Sequence, residues 1–190
     1  INRGDKQDKK MFMQLGPIRH RYTAKERAQK QGIGHYIYPR FTRLVDLNQS
    51  EDRNPADYYR LIMQSELRNM QIVSDTIDCV KRGRTPVIMT KYKEHAQKLY
   101  DMLQGSADHV FLLQGGKSLK ERSAIREQMA AVRADESIIL VAIGQYVGEG
   151  FNYPRLDTML LAMPISLEGN VEQHAGRLNR DYEGKKDAII

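Results

Sequence analysis

From Gly83 onward the chain alternates short apolar runs with amphipathic segments, and that alternation leaves few folds open to it. Pro86 to Thr90, His109 to Leu113, Ile138 to Ile143 and Thr158 to Met163 read as strands, with starts at 86, 109, 138 and 158 that lie 20 to 29 residues apart. Between them, Lys93 to Leu103 reads as a helix closed by Gly105. Ser118 and Glu121 form a capping box for a second helix, in which Ile125, Met129 and Val132 share one face. Single strands separated by single helices join through right-handed parallel crossovers, which place helices on both faces of the sheet. The unbroken apolar run Ile138 to Ile143 suits a strand covered on both sides. Asn170 with Gln173 caps a final helix reaching about Asn179, and Asp187 to Ile190 starts one more strand. The predicted class is therefore α/β with a parallel sheet.

Before this alternation the pattern differs. Asn54 is an N-cap followed by Pro55, and Met63, Leu67, Met70, Val73, Ile77 and Val80 recur every three or four residues up to Gly83. This predicts one long helix, continuous or broken, whose methionines and Cys79 pack into the core. Residues 1–50 read as a basic arm with extended pieces at Lys10 to Leu15 and His35 to Val45, the second interrupted by Pro39, and residues 51–190 as the domain proper. The net charge is +6, and the first 30 residues supply it, with nine Lys/Arg against three Asp/Glu. Such an arm, with Tyr22, Tyr36 and Tyr38 in or after it, suits a phosphate backbone and stacked bases as well as it suits a solvated linker.

Composition removes several classes. With 190 residues and 41% hydrophobic content the chain can bury a core, so disorder is excluded. The longest apolar run, Ile138 to Ile143, is far short of the roughly 20 residues of a membrane span, and a soluble, cytoplasmic protein without membrane contact is expected. One cysteine, Cys79, and five scattered histidines offer no disulfide or zinc framework. The first residue is Ile1, which suggests a piece of a longer polypeptide.

In open parallel sheets the chemistry gathers beyond the carboxyl ends of the strands, here after Thr90, Gln114, Gly144 and Pro164. Gln114-Gly115-Gly116-Lys117-Ser118 resembles the tail of a phosphate-binding loop, but Phe111 stands where the loop's first glycine is required. Gly115 and Gly116 still lead into a helix start whose free N–H groups suit one strand phosphate, and the same pattern also serves as a plain turn. Gly144, Gly148 and Gly150 permit close backbone approach but do not form a dinucleotide fingerprint. On the last helix Gln173, Gly176, Arg177 and Arg180 share one face. Two arginines three apart repel unless an anion lies between them, and Gly176 costs about 1 kcal/mol relative to Ala, which fits close approach of a partner. Arginine suits a bidentate grip on phosphoryl oxygens, although a solvated basic face reads equally well. Glu183-Gly184-Lys185 has the E-x-K form of some nucleases but lacks a companion carboxylate on an adjoining hairpin.

Taken in order, these pieces resemble the second, C-terminal RecA-like domain of superfamily two helicases of the DEAD/DEAH-box group. Gln173 to Arg180 matches the Q-x-x-G-R-x-x-R of motif VI. Val141 to Asn152 resembles motif V, and Pro86 to Thr90 resembles motif IV. The segment Gly144 to Pro164 is most similar to helicase subunits related to type III restriction enzymes. The resemblance is strong over residues 85–182, so the domain would be cut short soon after motif VI. Two positions depart from the pattern: Ile143 stands where motif V usually carries Thr, and Asn152 where Asp is usual.

The resemblance implies a parent enzyme that hydrolyses ATP to move along or remodel nucleic acid, with DNA the preferred track. Arg177 and Arg180 would be the arginine fingers, with Gln173 ordering the site, and Gly148, Gly150 and Asn152 would lie at the nucleotide. Thr90, Gly115, Gly116, Lys117, Ile143, Gly144 and Gln145 would contact one nucleic-acid strand. ATP and Mg2+ would be held mainly by an N-terminal RecA-like domain, since neither a Walker lysine loop nor an acidic box occurs here, and this chain alone would be inactive. A restriction-modification partner is a further implication. The alternative is a non-catalytic nucleic-acid or protein-binding module that keeps the fold, motivated by Ile143 and the basic arm.

Overall fold

The computed structural model describes residues 8–17, 19, 32–42, 44, 54–115, 119–144, 151–164 and 176–190. Six strands form one all-parallel sheet: β1 (Gly34–Tyr36), β2 (Pro86–Thr90), β3 (His109–Leu113), β4 (Ile138–Ile143), β5 (Thr158–Leu161) and β6 (Asp187–Ile189), in the order β1-β6-β5-β2-β4-β3. The helices among the described residues are α1 (Asp8–Leu15), α2 (Pro55–Gln64), α3 (Glu66–Lys81), α4 (Lys93–Met102) and α5 (Leu119–Ala131).

Registers Val87↔Leu140 and Val87↔Met159 align side chains of like parity across the three central strands. Val87, Met89, Leu113, Leu140, Ala142 and Met159 therefore share the face that packs on Met129 and Ile125 of α5. Ile88, Leu112, Ile139, Val141 and Ile143 share the opposite face, against Ile72 of α3 and Ala96 and Leu99 of α4. Helices thus cover both faces, as the crossover argument requires, and all six residues of β4 are buried.

Three features differ from the sequence expectation. Lys10 to Leu15 is helical within α1 rather than extended, because Lys, Met, Phe, Gln and Leu carry no β-branch to oppose a helix. The stretch 34–36, read as arm, supplies edge strand β1, whose ladder to β6 continues through Tyr38 N–H on the Ile190 carbonyl at 2.8 Å. The long helix takes the broken form that the pattern allowed, at Ser65, whose N–H closes α2 on the Leu61 carbonyl while its own carbonyl accepts from Asn69 N–H, but its buried face is not the expected one. Across this break the buried Asn69 donates its Nδ2 to the Met63 carbonyl at 2.9 Å. The break also rotates the buried face. Leu67 and Met70, expected in the core, are 65% and 51% exposed, and Asn69, Ile72 and Thr76 are buried instead. Thr76 is tolerated there because its hydroxyl donates to the Ile72 carbonyl at 2.7 Å. Beyond α3, Gly83 has φ +73°, a conformation that a side chain would strain.

Candidate functional site

The candidate residues fall at two places. Register Thr90↔Ile143 sets those two side by side at the carboxyl ends of β2 and β4, and Leu113↔Ala142 brings Gly115, just past β3, alongside Gly144. Four strand-contact candidates, Thr90, Gly115, Ile143 and Gly144, thus lie along one edge over three adjacent strands. Gly116, Lys117 and Gln145 lie outside the described residues.

Thr90 is buried, and its hydroxyl lies 2.8 Å from His95 Nδ1. His95 Nε2 is 3.0 Å from Asn69 Oδ1, and Asn69 Nδ2 is committed to the Met63 carbonyl. A carbonyl only accepts, so Asn69 must present oxygen to His95, Nε2 must carry the ring proton, and Nδ1 must accept from Thr90. Burial, with the Arg68 and Lys98 cations adding to it, pushes the imidazole down to about 4, so this neutral tautomer holds at pH 7. The proton of the Thr90 hydroxyl is therefore already used. Ile143 explains its own departure from the motif: its side chain belongs to the α3/α4 face of the core and is 7% exposed.

Beside this edge stands Lys91, which the sequence pattern does not single out. Its exposed ammonium lies 4.4 Å from the ring centroid of Tyr59 and 5.7 Å from that of Tyr92. A lysine between two tyrosines 32 and 1 residues away has no signature in the linear pattern. Arg68 lines a cavity of about 420 Å³ with Ile62, Leu161 and Met163, and its buried Nη1 has no hydrogen-bond partner among the described residues.

The arginine segment is placed differently. Residues 176–178 are helical, and Leu178 and Asn179 are buried, which seats the segment on the α5 face of the sheet. Arg177 Nη1 donates to the Phe151 carbonyl at 3.1 Å, next to the exposed Asn152. Two nucleotide candidates, Arg177 and Asn152, are thereby brought together, with Arg180 three residues on. Gln173, Gly148 and Gly150 lie outside the described residues. A Cβ on Gly176 would meet no described atom within 4 Å, so neither crowding nor backbone strain within the fold demands glycine there.

The amino ends of the strands carry a dense set of cationic ties. Arg84 donates to Thr158 Oγ1 at 2.5 Å, to Asp187 Oδ1 at 2.6 Å and to the Asp157 carbonyl at 3.0 Å. Asp157 accepts from Thr85 N–H and the Thr158 hydroxyl. Burial raises its carboxyl above the ordinary value despite these bonds and Arg84. Arg155 donates to the carbonyls of Arg133, Ala134 and Glu136. Lys185 donates to those of Pro154, Leu178 and Arg180.

Among the described residues no cluster of three or more His, Cys, Asp or Glu is arranged to hold a metal ion, and no helix is long and apolar enough to cross a membrane. The donors near the arginine segment are guanidinium groups, which fit triphosphate oxygens rather than Mg2+.

An all-parallel sheet in this order, helix-covered on both faces, is the RecA-like α/β fold of helicase and ATPase domains. Among solved structures it is similar to T4 UvsW, with TM-score 0.60, 19% identity, and 84% of this chain and 32% of that chain covered. It is also similar to Saccharomyces cerevisiae Dbp5 bound to RNA and ADP BeF3, with TM-score 0.52, 16% identity and coverage of 95% and 41%. Among curated proteins the chain is 27% identical over 140 residues to the transcript termination protein A18 of Fowlpox virus (strain NVSL), covering 70% of this chain. It is 24% identical over 138 residues to the protein of the same name from Myxoma virus (strain Lausanne). The chain spans 29% and 28% of the length of these two relatives. No protein-family model matches it.

Proposed function

We propose that the chain is the C-terminal motor domain of an ATP-dependent nucleic-acid helicase or translocase, with DNA as the track. The observation that carries this reading is the tie between Arg177 and Phe151, which places an arginine of the Q-x-x-G-R-x-x-R segment beside Asn152 at the end of the glycine loop, in a RecA-like fold. Arg177 and Arg180 stabilise the charge that develops on the transferring phosphoryl group, Gln173 orders the site, and Gly148, Gly150 and Asn152 line the nucleotide. A preceding RecA-like domain holds ATP and Mg2+. The strand track runs along the carboxyl edge through Thr90, the backbone of Gly115 to Lys117, and Ile143 to Gln145, with glycines and a helix N-terminus facing phosphates. Domain closure on ATP then shifts one strand contact against another.

The finer assignment to helicase subunits related to type III restriction enzymes, acting in the cytoplasm with a restriction-modification partner, rests on the segment Gly144 to Pro164. The viral transcript termination proteins give the same kind of domain a different whole-protein setting. In the polypeptide that carries both domains, Arg180→Ala lowers nucleic-acid-stimulated ATP turnover by roughly 10³-fold or more. Unchanged turnover would falsify the finger role. The second reading, a binding module without a motor, draws on the buried Ile143 and on the basic arm. It requires that the wild-type polypeptide show no ATP turnover, while this chain binds single strands with a steep negative salt dependence.

A further inference from the structure

We propose that Lys185 is the positioning residue of the arginine segment, joining residues 176–180 and the stretch after the glycine loop of β4 into one unit through three main-chain carbonyls. The inference rests on the reading of Arg177 and Arg180 given above. An ammonium has three N–H donors, and Lys185 Nζ directs them at 2.7 Å to Pro154, 2.8 Å to Leu178 and 3.0 Å to Arg180. The last two are carbonyls at the end of a helical turn, which that turn leaves open and which a lysine satisfies well. The first belongs to the stretch 151–157, whose Phe151 carbonyl receives Arg177. Two ties therefore join the same two segments, one made by an arginine of the pair and the other by Lys185.

The approach to β6 is shaped for this. Lys185 N–H closes a turn on the Tyr182 carbonyl at 3.1 Å, and Gly184 within it has φ +80°. A Cβ at 184 would meet no described atom within 4 Å, so the backbone angle rather than space calls for glycine there. The turn sends the Lys185 side chain back under the arginine segment. Glu183 is exposed, while the lysine of the E-x-K string is committed to the three carbonyls of this tie.

The tie is also sensitive to the proton. Burial brings the ammonium down to about 8, with Arg84 adding to the fall and Asp157 and Asp181 opposing it. Arg84 itself is paired with Asp187 and Asp157. Deprotonation leaves two donors for three carbonyls and turns a lone pair towards an oxygen, so the arginines lose a support while the fold stays closed.

The test combines exchange and turnover. In this chain Lys185→Met speeds hydrogen exchange about tenfold or more in residues 151–157 and 176–182 together, and leaves β2 and β4 unchanged. In the longer polypeptide the same variant lowers kcat roughly 10- to 100-fold with the KM for ATP unchanged, and Lys185→Arg restores most of it. Wild-type turnover is expected to decline as the pH rises through about 8, and Lys185→Arg, whose guanidinium keeps its proton, is expected to lack that decline. Uniformly faster exchange, or exchange unchanged in both segments, overturns the proposal, as does a loss expressed in KM alone. If the wild type hydrolyses no ATP while the local exchange effect stands, the motor reading fails and the tie between the two segments survives.

Discussion

The two ends of the parallel sheet are built on opposite terms. At the amino ends, Arg84, Arg155 and Lys185 each place their donors on several carbonyls, hydroxyls or carboxylates, so cation and partner come in matched sets. At the carboxyl ends, roughly 15 Å away along β2 and β4, Lys91 rests on tyrosine rings and Arg68 Nη1 has no hydrogen-bond partner among the described residues. The dense polar chain there, Thr90–His95–Asn69, is neutral. A cation whose donors are satisfied holds a fold together, whereas the exposed Lys91, resting on a ring, stays available to an anion, and the buried Arg68 Nη1 is left uncompensated. The contrast separates strand ends whose cations are committed to several partners from strand ends whose cations are not.

The largest expected effect comes from breaking the amino end. Arg84→Met leaves Asp157, Asp187 and Thr158 without their shared donor, and should lower unfolding stability by about 3 kcal/mol, read from denaturant midpoints at constant m. A loss below about 1 kcal/mol would mean that these ties are ornamental and the contrast is wrong. Next is the neutral chain at the other end. His95→Phe keeps the ring but orphans Thr90 and Asn69, costing about 2 kcal/mol. In the wild type the folded imidazole titrates near 4 and the unfolded one near 6.5. The group's contribution is therefore complete above pH 6.5 and is lost as the pH falls towards 4, at about 1.4 kcal/mol per unit between these values. His95→Phe should flatten that slope, and a slope shared by both proteins would remove His95 as its source. The smallest effect sharpens the comparison. Lys91→Ala should change stability by no more than about 0.5 kcal/mol, yet reduce the salt dependence of single-strand binding by about one phosphate contact. A large stability loss with unaltered salt dependence would make Lys91 a structural residue like those at the amino ends.

Much of the architecture is legible in the amino-acid pattern, and the reasons are local. The run Ile138 to Ile143 has to be covered on two sides, Gly83 and Gly105 have to end helices, and Asp187 to Ile190 continues the alternation as β6. The buried face of α3 is not legible, because an apolar period through Leu67 and Met70 is indistinguishable from one shifted by a break at Ser65. That break depends on Asn69 reaching both Met63 and, 26 residues on, His95. The extended backbone from His35 is legible, but its membership of the sheet is not, since Gly34 to Tyr36 is too short to carry a period and joins only by pairing with β6, close to the far end of the chain. In the candidate site, the pattern marks Arg177 and Arg180 but passes over Lys185, whose three acceptors are main-chain oxygens that carry no residue identity.

Sequence alone determined the class of fold and the places where strands β2, β3 and β4 give way to loops. Both follow from periodicity within a short stretch of chain. Only the tertiary structure decided the strand order, the sharing of Thr90, His95 and Asn69 in one proton arrangement, and the gathering of Pro154, Leu178 and Arg180 on one ammonium. Those outcomes require atoms distant along the chain to satisfy one another's donors and acceptors in a place without water, and no local pattern of side chains encodes which carbonyl will be there.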